Sequence, residues 1–321
     1  MIDVSLSKNR TTVRSDTRLR LARAALQTAF IVSDELGASL AERLFTTPRR
    51  HTRPDKERAV LAAGHPRTFD VALRSPRWHG TQITLQGWRW GVGPTVLLVH
   101  GWEGRGSQLG ALVEPLCAAG LSVVTFDAPG HGDSPGHRLY LTDFADCIAD
   151  VAAAVGPLHA VIAHSFGAAA VLLAHARHGL DVPRNVMIAP NVVIDDAVTR
   201  FAKHVALDDR DRHHFEAQLS ANAGLGSDGL SLDRLATARD AGLLVVHDKT
   251  DREVPFCDGE LLAALWPNAM LHATDGLGHR RILRDAAVIG SVVDFVRRDV
   301  AAPASDLVRE VDRQLRLDPR T

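Results

Sequence analysis

Residues 161–169 read VIAHSFGAA and give the strongest indication of the fold in this sequence. A run of apolar residues, typical of a buried strand, passes within a few positions into a run typical of a helix. Ser165 lies at the corner between the two. The residues two before and two after it, Ala163 and Gly167, are small, as a sharp turn with close backbone approach requires. The stretch therefore predicts a strand, a tight turn that presents a serine hydroxyl, and a helix.

The same alternation of short apolar runs with helical patterns extends from about residue 80 to residue 298. The apolar runs predict strands at 82–90, 95–100, 121–126, 158–163, 185–188, 242–247 and 270–273. Helical patterns cover 108–119, 141–155, 166–178, 258–265 and a stretch that begins near Ile282. Such alternation predicts an α/β protein with a mostly parallel, doubly wound sheet. Inner runs such as TVLLVH are apolar throughout, as in strands that helices cover on both faces.

Two segments depart from this rhythm. Residues 192–240 are polar, charged and largely helical in pattern, with a glycine-containing break at 223–229. Because this segment falls between two predicted strands, we expect it to form a cap above the strand ends, where α/β sheets bind ligands. The other segment precedes the alternation. We therefore divide the chain into an N-terminal helical extension, 1–60, and a main domain, 61–321, which carries the cap.

Within the extension, apolar residues recur at helical spacing from Asp16 to Leu44, which predicts one amphipathic helix. Ser15 or Asp16 can cap its start, and Pro48 with the polar run 49–56 ends it. We favour docking of the leucine face on the main domain. A homodimer contact through that face is the alternative. Attachment to a membrane surface is disfavoured, because the polar face mixes acidic with basic residues.

The stretch around Ser165 resembles the nucleophile elbow of the α/β-hydrolase family, although Ala163 stands where the family usually has glycine. Residues 100–104, HGWEG, follow a predicted strand and resemble the family's oxyanion loop. Asp251 lies in a stretch similar to the family's G-x-x-D-x-x-V-P segment, and His279 follows the last predicted strand. The order serine, aspartate, histidine along the chain is that of the family. Taken together, these stretches extend the resemblance over roughly residues 80–298.

A second stretch, GDSPG at 132–136, matches the pattern G-x-S-x-G letter for letter. We reject its Ser134 as the nucleophile. Pro135 has no N–H to donate to an oxyanion, and no strand runs directly into the motif. It belongs to FDAPGHGDS at 126–134, which resembles a structural turn of the family.

The resemblance implies a catalytic triad in which Ser165 attacks, His279 accepts its proton and Asp251 orients the imidazole. Asp248 occupies a position where the family usually has glycine, so it remains an alternative to Asp251 as the triad acid. The family's relatives that cleave carbon–halogen bonds or epoxides carry aspartate at the elbow, and Ser165 argues against that chemistry.

The resemblance also implies that the backbone N–H groups of Trp102 and Phe166 form the oxyanion hole. The side chains of these two residues, together with Phe201 in the cap, are candidates for lining an acyl pocket. No metal or organic cofactor is required. His213 and His214 in the cap are interpreted as surface or structural residues.

These residues predict a serine carboxylic-ester hydrolase that acts on a small-molecule ester with a small or medium acyl group. The same triad could instead cleave a C–C, thioester or amide bond or transfer an acyl group, because fold and triad do not set the substrate. A hypothesis from another class is a hydrolase-like protein that binds a ligand without turnover. The intact order of Ser165, Asp251 and His279 counts against it.

Composition excludes several other classes. The 37 Lys and Arg residues nearly balance 38 Asp and Glu, so no global field attracts nucleic acid or an anionic membrane. No apolar run approaches the length of about 18 residues that a membrane-spanning helix needs. The three Cys are too few and too scattered for a disulfide framework or a zinc site. We therefore expect a cytoplasmic protein without a membrane span.

Overall fold

The computed structural model describes residues 5–225 and 241–298. Eight strands of this part of the chain form one sheet in the order β1-β2-β4-β3-β5-β6-β7-β8. Their bounds are β1 His65–Leu73, β2 Thr81–Trp90, β3 Thr95–Val99, β4 Ser122–Phe126, β5 Leu158–His164, β6 Arg184–Ile188, β7 Gly242–Asp248 and β8 Ala269–Thr274. β2 runs antiparallel to both β1 and β4, and the pairs from β4 to β8 are parallel. The predicted α/β class with a mostly parallel sheet is confirmed.

Eleven α-helices of the described residues surround or extend the sheet. They are α1 Ser5–Val32, α2 Asp34–Thr46, α3 Asp55–Ala62, α4 Val113–Ala118, α5 Leu141–Val155, α6 Phe166–His178, α7 Ile194–His204, α8 Asp209–Ala223, α9 Phe256–Leu265, α10 Gly278–Arg281 and α11 Ala286–Val296. Two 3₁₀ helices lie at Gly106–Leu112 and Ile282–Arg284. The bounds of α5 and α6 agree with the predicted helices to the residue.

The inner strands supply alternate side chains to two hydrophobic cores, because successive side chains of a strand point to opposite faces. Leu97 and Val99 of β3 face one core, which also contains residues of α5, α6 and α9. Val96 and Leu98 face the other core, which contains residues of α4 and α11. Burial on both faces explains why these strands are apolar throughout.

One strand was not expected from the sequence. β1 is an edge strand whose first four residues are exposed, and only Phe69, Val71 and Leu73 alternate into the core. Pro66 and the charged residues near it hide the alternation of apolar and polar residues that would indicate a strand. Proline is nevertheless compatible with a strand at the edge of a sheet. β1 pairs with β2 over its whole length, from His65 to Leu73.

The single N-terminal helix predicted over residues 16–44 is wrong. It is two helices, α1 and α2, that separate at Ser33. Ser33 is extended, and its Oγ accepts a hydrogen bond of 3.1 Å from the backbone N–H of Leu36. A serine N-cap therefore begins a new helix inside a continuous leucine pattern. The helices meet closely, because a Cβ at Gly37 would lie 2.2 Å from the ring of Phe30.

Other predicted boundaries also need correction. The helix expected at 108–119 is a 3₁₀ helix followed by α4, and α3 was not predicted. The helix expected near Ile282 is divided into α10, a 3₁₀ turn and α11, which begins at Ala286. In the predicted cap, α7 and α8 are helical and α8 ends at left-handed Gly224, whereas residues 226–240 lie outside the described part. The division into 1–60 and 61–321 stays a prediction.

A buried ion pair attaches the segment after α2 to the main domain. The Glu57 carboxylate accepts hydrogen bonds from Arg105 Nε at 2.6 Å, Arg105 Nη2 at 3.0 Å and Ser107 Oγ at 2.7 Å. Glu57 and Arg105 are both buried, so each charge depends on the other for stabilisation. Removal of one partner leaves the other as an uncompensated buried charge.

We expect Glu57→Ala to lower the free energy of unfolding by about 3 kcal/mol, because it leaves the Arg105 guanidinium buried and unpaired. Urea unfolding followed by circular dichroism measures this loss. Asp294→Ala is the matched control, since Asp294 and Arg297 form an exposed pair that is worth at most about 1 kcal/mol. Equal effects of the two substitutions would contradict the structural role assigned to Glu57.

Candidate active site

Ser165 occupies the corner between β5 and α6 with φ 54° and ψ −122°, in a region that L-residues rarely adopt. Two close approaches explain the small residues around it. A Cβ at Gly167 would lie 2.3 Å from the carbonyl oxygen of His100, and a Cβ at Gly101 would lie 2.9 Å from the Ser165 Cβ. The strained corner therefore brings the 100–104 loop against the serine.

The three residues predicted to act together are brought into hydrogen-bond distance. His279 Nε2 lies 3.0 Å from Ser165 Oγ, and His279 Nδ1 lies 2.7 Å from Asp251 Oδ2. The carboxylate contact assigns the proton to Nδ1, which leaves the Nε2 lone pair to accept the serine proton. All three residues come from segments at the carboxyl ends of parallel strands, because Asp251 follows β7 and His279 follows β8.

The Asp251 carboxylate is held by several donors. Its Oδ1 accepts hydrogen bonds from the backbone N–H groups of Glu253 at 2.8 Å and Val254 at 3.0 Å. His247 Nε2 lies 3.5 Å from Oδ2, close enough for an electrostatic contact but without the geometry of a hydrogen bond. Burial alone would raise the pKa of Asp251, but the contacts from His247, His279 and the Val254 N–H lower it below its usual range. Asp251 is therefore a carboxylate that can stabilise a positive imidazolium.

Asp248 makes a different set of contacts and none with His279. Its oxygens accept hydrogen bonds from the N–H and Oγ1 of Thr250, from Thr274 Oγ1 and from the N–H of Leu277. Burial raises the pKa of Asp248, but these donors outweigh it and hold the pKa well below its usual range. Asp248 thus ties the end of β7 to the loop that carries His279.

The 100–104 loop is fixed by buried neutral histidines. His100 Nε2 accepts from the Ala128 N–H at 3.0 Å, which leaves Nδ1 as the donor to the Gly101 carbonyl at 2.7 Å. Burial lowers the pKa of His100 to about 4. His131 Nε2 accepts from the Glu103 N–H at 3.1 Å, and burial lowers the pKa of His131 to about 3. Both imidazoles are uncharged near neutral pH and serve as fixed hydrogen-bond partners.

Sequence reasoning missed one residue that touches the proposed base. The ring of His164 packs against the ring of His279 with centroids 4.7 Å apart, and its Nε2 lies 3.0 Å from the His279 carbonyl oxygen. Burial lowers the pKa of His164 to about 3, so this ring is neutral. Its position in the elbow, one residue before Ser165, was the feature of the sequence that could have identified it as a site residue. His164 therefore supports the loop that presents His279.

Ser134 lies in a closed turn away from this constellation. Its Oγ accepts from the Gln86 N–H at 2.9 Å and donates to the carbonyl oxygen of Asp127, and the residue is fully buried. Because this buried hydroxyl already donates to one backbone group and accepts from another, it is not available to a substrate. These contacts suit a structural turn.

Two cavities that share several lining residues lie at this end of the sheet. A charged cleft of about 440 Å³ is lined by Ser165, His279 and several Arg and Glu side chains. A second cavity of about 680 Å³ has a mainly apolar lining that includes Trp102, Phe166 and Phe201. Trp102 lines both, and its ring meets that of Phe166 edge to face at 5.5 Å. A larger groove of about 820 Å³ along α3 contains none of the predicted site residues.

Two kinds of feature are absent from the described residues. No helix in this part of the chain is long and apolar enough to cross a membrane. No group of three or more His, Cys, Asp or Glu within 5–225 and 241–298 is placed to hold a metal ion.

Comparison with known proteins assigns the chain to a family. The family model described as "Serine aminopeptidase, S33" matches residues 92–252, half of the chain. The chain therefore belongs to this family of α/β-hydrolases, and the predicted resemblance is confirmed.

Individual relatives are more distant. The chain is 27% identical to a monoacylglycerol lipase of Mycolicibacterium smegmatis over 57% of this chain and 80% of that protein. It is 29% identical to a pimeloyl-[acyl-carrier protein] methyl ester esterase of Aromatoleum aromaticum over 64% of this chain and 98% of that protein. An esterase structure from Pyrococcus furiosus aligns with a TM-score of 0.58 at 18% identity, covering 79% of this chain and 97% of that one. That structure shares the fold and leaves a fifth of the present chain without a counterpart.

Replacement of Asp248 by Asn is expected to lower the free energy of unfolding at neutral pH by about 1–3 kcal/mol, because buried donors lose an acceptor. The pKa of Asp248 lies below its usual range in the folded protein, so its charge contributes stability above about pH 4. That contribution is lost as the pH falls through the folded-state pKa. Urea unfolding of both proteins from neutral pH to about pH 3 should show a difference that narrows below about pH 4.

Asp275→Asn is the control for this pH series, since Asp275 is exposed one residue after β8. It should leave the unfolding free energy nearly unchanged at every pH. A difference for Asp248→Asn that widens on acidification would contradict the assignment of Asp248 as an ionised structural carboxylate.

Proposed function

We propose that this protein is a serine carboxylic-ester hydrolase that works through an acyl-enzyme on Ser165. The observation that supports it most directly is the 3.0 Å contact between Ser165 Oγ and His279 Nε2, with Asp251 on the opposite nitrogen. A serine hydroxyl is a weak nucleophile at neutral pH and needs such an adjacent base.

The reaction has two halves. Ser165 Oγ attacks the ester carbonyl carbon while its proton passes to His279 Nε2, and Asp251 stabilises the imidazolium that results. Collapse of the tetrahedral intermediate breaks the bond to the alcohol oxygen, which takes the proton from His279. Water then adds to the acyl-enzyme with His279 as base, and the acid leaves as Ser165 regains its proton.

Two backbone N–H groups are assigned to the oxyanion. Phe166 is the first residue of α6, so its N–H has no acceptor within the helix and lies at the positive end of the helix dipole. Trp102 follows Gly101, the residue at which an added Cβ would lie 2.9 Å from the Ser165 Cβ. Each donor of this kind typically lowers the barrier by roughly 3–4 kcal/mol.

Ester chemistry is preferred over the alternatives for two reasons. Two relatives named above are a lipase and an ester esterase. The apolar cavity beside Trp102 and Phe166 suits an uncharged acyl chain, and its volume lies within the range of about 300–1,000 Å³ typical of small-molecule sites.

Purified protein should hydrolyse p-nitrophenyl butyrate, and Ser165→Ala should abolish this turnover. Ser134→Ala is the matched control, because Ser134 lies in a closed structural turn. It should keep activity near that of the wild type at temperatures where circular dichroism shows it folded. Loss of turnover in folded Ser134→Ala, or retention in Ser165→Ala, would refute the nucleophile assignment.

The choice between the two carboxylates is tested separately. Asp251→Asn should lower kcat by roughly three to four orders of magnitude, because the imidazole loses its orienting acceptor and adopts the wrong tautomer. Asp248→Asn should cost far less, since Asp248 makes no contact with His279. Steady-state kinetics with p-nitrophenyl butyrate measure both. A larger loss for Asp248→Asn would reverse the assignment.

A further inference from the structure

The N-terminal helices and the cap helices share a hydrophobic core of their own. Leu26 and Phe30 of α1 and Ala41 of α2 are buried together with Val198 of α7 and Phe215 of α8. This third core is separate from the two cores of the sheet. Two segments about 150 residues apart in the chain therefore form one helical unit, which we call the composite cap: α1, α2, α7 and α8.

Aromatic rings join the two halves of the composite cap. Phe45 of α2 meets Phe201 of α7 edge to face at 5.1 Å and Phe215 of α8 at 5.7 Å. Phe201 and Phe215 lie 5.3 Å apart, so the three rings form a closed triangle. Edge-to-face pairs of this kind add specific geometry to the burial of apolar surface.

Three helices of the composite cap, α2, α7 and α8, line the apolar cavity. Its lining includes Leu44 and Phe45 of α2 together with Ile194 and Phe201 of α7. The main domain closes it with Trp102, Phe166 and the segment 139–141. The N-terminal helix α2 is therefore part of the wall of this cavity.

Polar contacts hold α2 against the main domain at this wall. Glu42 is buried, and its Oε1 accepts hydrogen bonds from Tyr140 Oη and Asn222 Nδ2, each at 2.7 Å. Beyond the helix, Arg49 Nε donates to Glu103 Oε1 at 2.7 Å. These contacts join α2 to α8 and to two loops of the main domain, so the wall has a defined position.

The position of the base decides which part of an ester enters this cavity. The leaving alcohol oxygen must lie near His279, because it takes its proton from Nε2. His279 lines the charged cleft and is absent from the lining of the apolar cavity. The alcohol therefore occupies the charged cleft, and the acyl chain extends past Trp102 and Phe166 into the apolar cavity.

We propose that the N-terminal helix α2 determines acyl-chain length in this protein, with Phe45 as the residue that limits the depth of the acyl cavity. The substrate class is an ester of a medium-length apolar acid with a polar alcohol. This inference rests on the proposed esterase function. It assigns to the N-terminal extension a role in selectivity that goes beyond docking.

The test compares kcat/KM for the p-nitrophenyl esters of butyrate, octanoate and dodecanoate. Phe45→Ala lengthens the cavity, so the ratio of dodecanoate to butyrate should rise about tenfold, the value expected for burying roughly two further methylene groups. Phe45→Trp shortens it, so the same ratio should fall by a similar factor. Opposite shifts in two folded variants are not expected from a general loss of stability.

Leu40→Ala is the matched control. Leu40 lies on the same helix and packs against the same third core, but it does not line the cavity. Its substitution should change kcat/KM for the three esters by one common factor. The proposal would be overturned if Leu40→Ala shifted the ratio as Phe45→Ala does, or if both Phe45 variants left the ratio unchanged.

Binding separates this proposal from the proposed esterase function. In the Ser165→Ala background, titration calorimetry with dodecanoate measures occupancy of the cavity without turnover. Phe45→Trp should weaken this binding about tenfold, and Leu40→Ala should change it less than twofold. Equal affinities in all three proteins would refute the role of Phe45. Absence of ester turnover in the wild type, with this binding pattern intact, would refute the esterase and leave the cavity assignment standing.

Discussion

The strained backbone of Ser165 determines how the other residues of the candidate site are arranged. A non-glycine residue at such φ and ψ values costs about 1–3 kcal/mol and persists only where its surroundings fix it. Here its N–H donates to the Ile188 carbonyl at 3.0 Å, and its carbonyl accepts from Asn191 at 3.2 Å and Ala168 at 2.9 Å. The end of β6, the segment that follows it and the start of α6 thus hold the corner in place. That corner sets the direction of Oγ, and the loops after β3, β7 and β8 must converge on it.

Two carboxylates near this corner stay ionised, because hydrogen bonds lower their pKa by more than burial raises it. Asp248 and Asp251 lie three residues apart, and burial of two carboxylates so close would favour their neutral forms. Each instead keeps a pKa below its usual range because separate donors serve it. The donors of Asp248 include the N–H of Leu277 in the loop before His279, and those of Asp251 include His279 itself. One carboxylate therefore places the loop and the other orients the ring.

Local patterns in the sequence were sufficient to predict seven of the eight strands of the described sheet, β2 to β8. The inner strands and helices α5 and α6 are long, apolar or strongly periodic, and their bounds are nearly those predicted. The sequence could not show the break at Ser33, because one capping hydroxyl interrupts an otherwise continuous leucine pattern. Edge strand β1 was hidden by its exposed, polar first half. The contact of His164 with His279 joins residues 115 positions apart, and only the tertiary fold brings them together.

The third core, between the N-terminal helices and the cap helices, could not be predicted from the helical periodicity of the sequence. A leucine stripe on α1 and α2 indicates that the helices dock, but it does not identify the surface that receives them. In the structure that surface is the cap, so residues near 45 and near 201 build one wall together. The polar contacts among Ser165, Asp251 and His279 involve none of these helices. The proposed acyl selectivity and the proposed chemistry therefore depend on separate sets of interactions. They meet at Trp102 and Phe166, whose rings line the cavity and whose backbone adjoins Ser165.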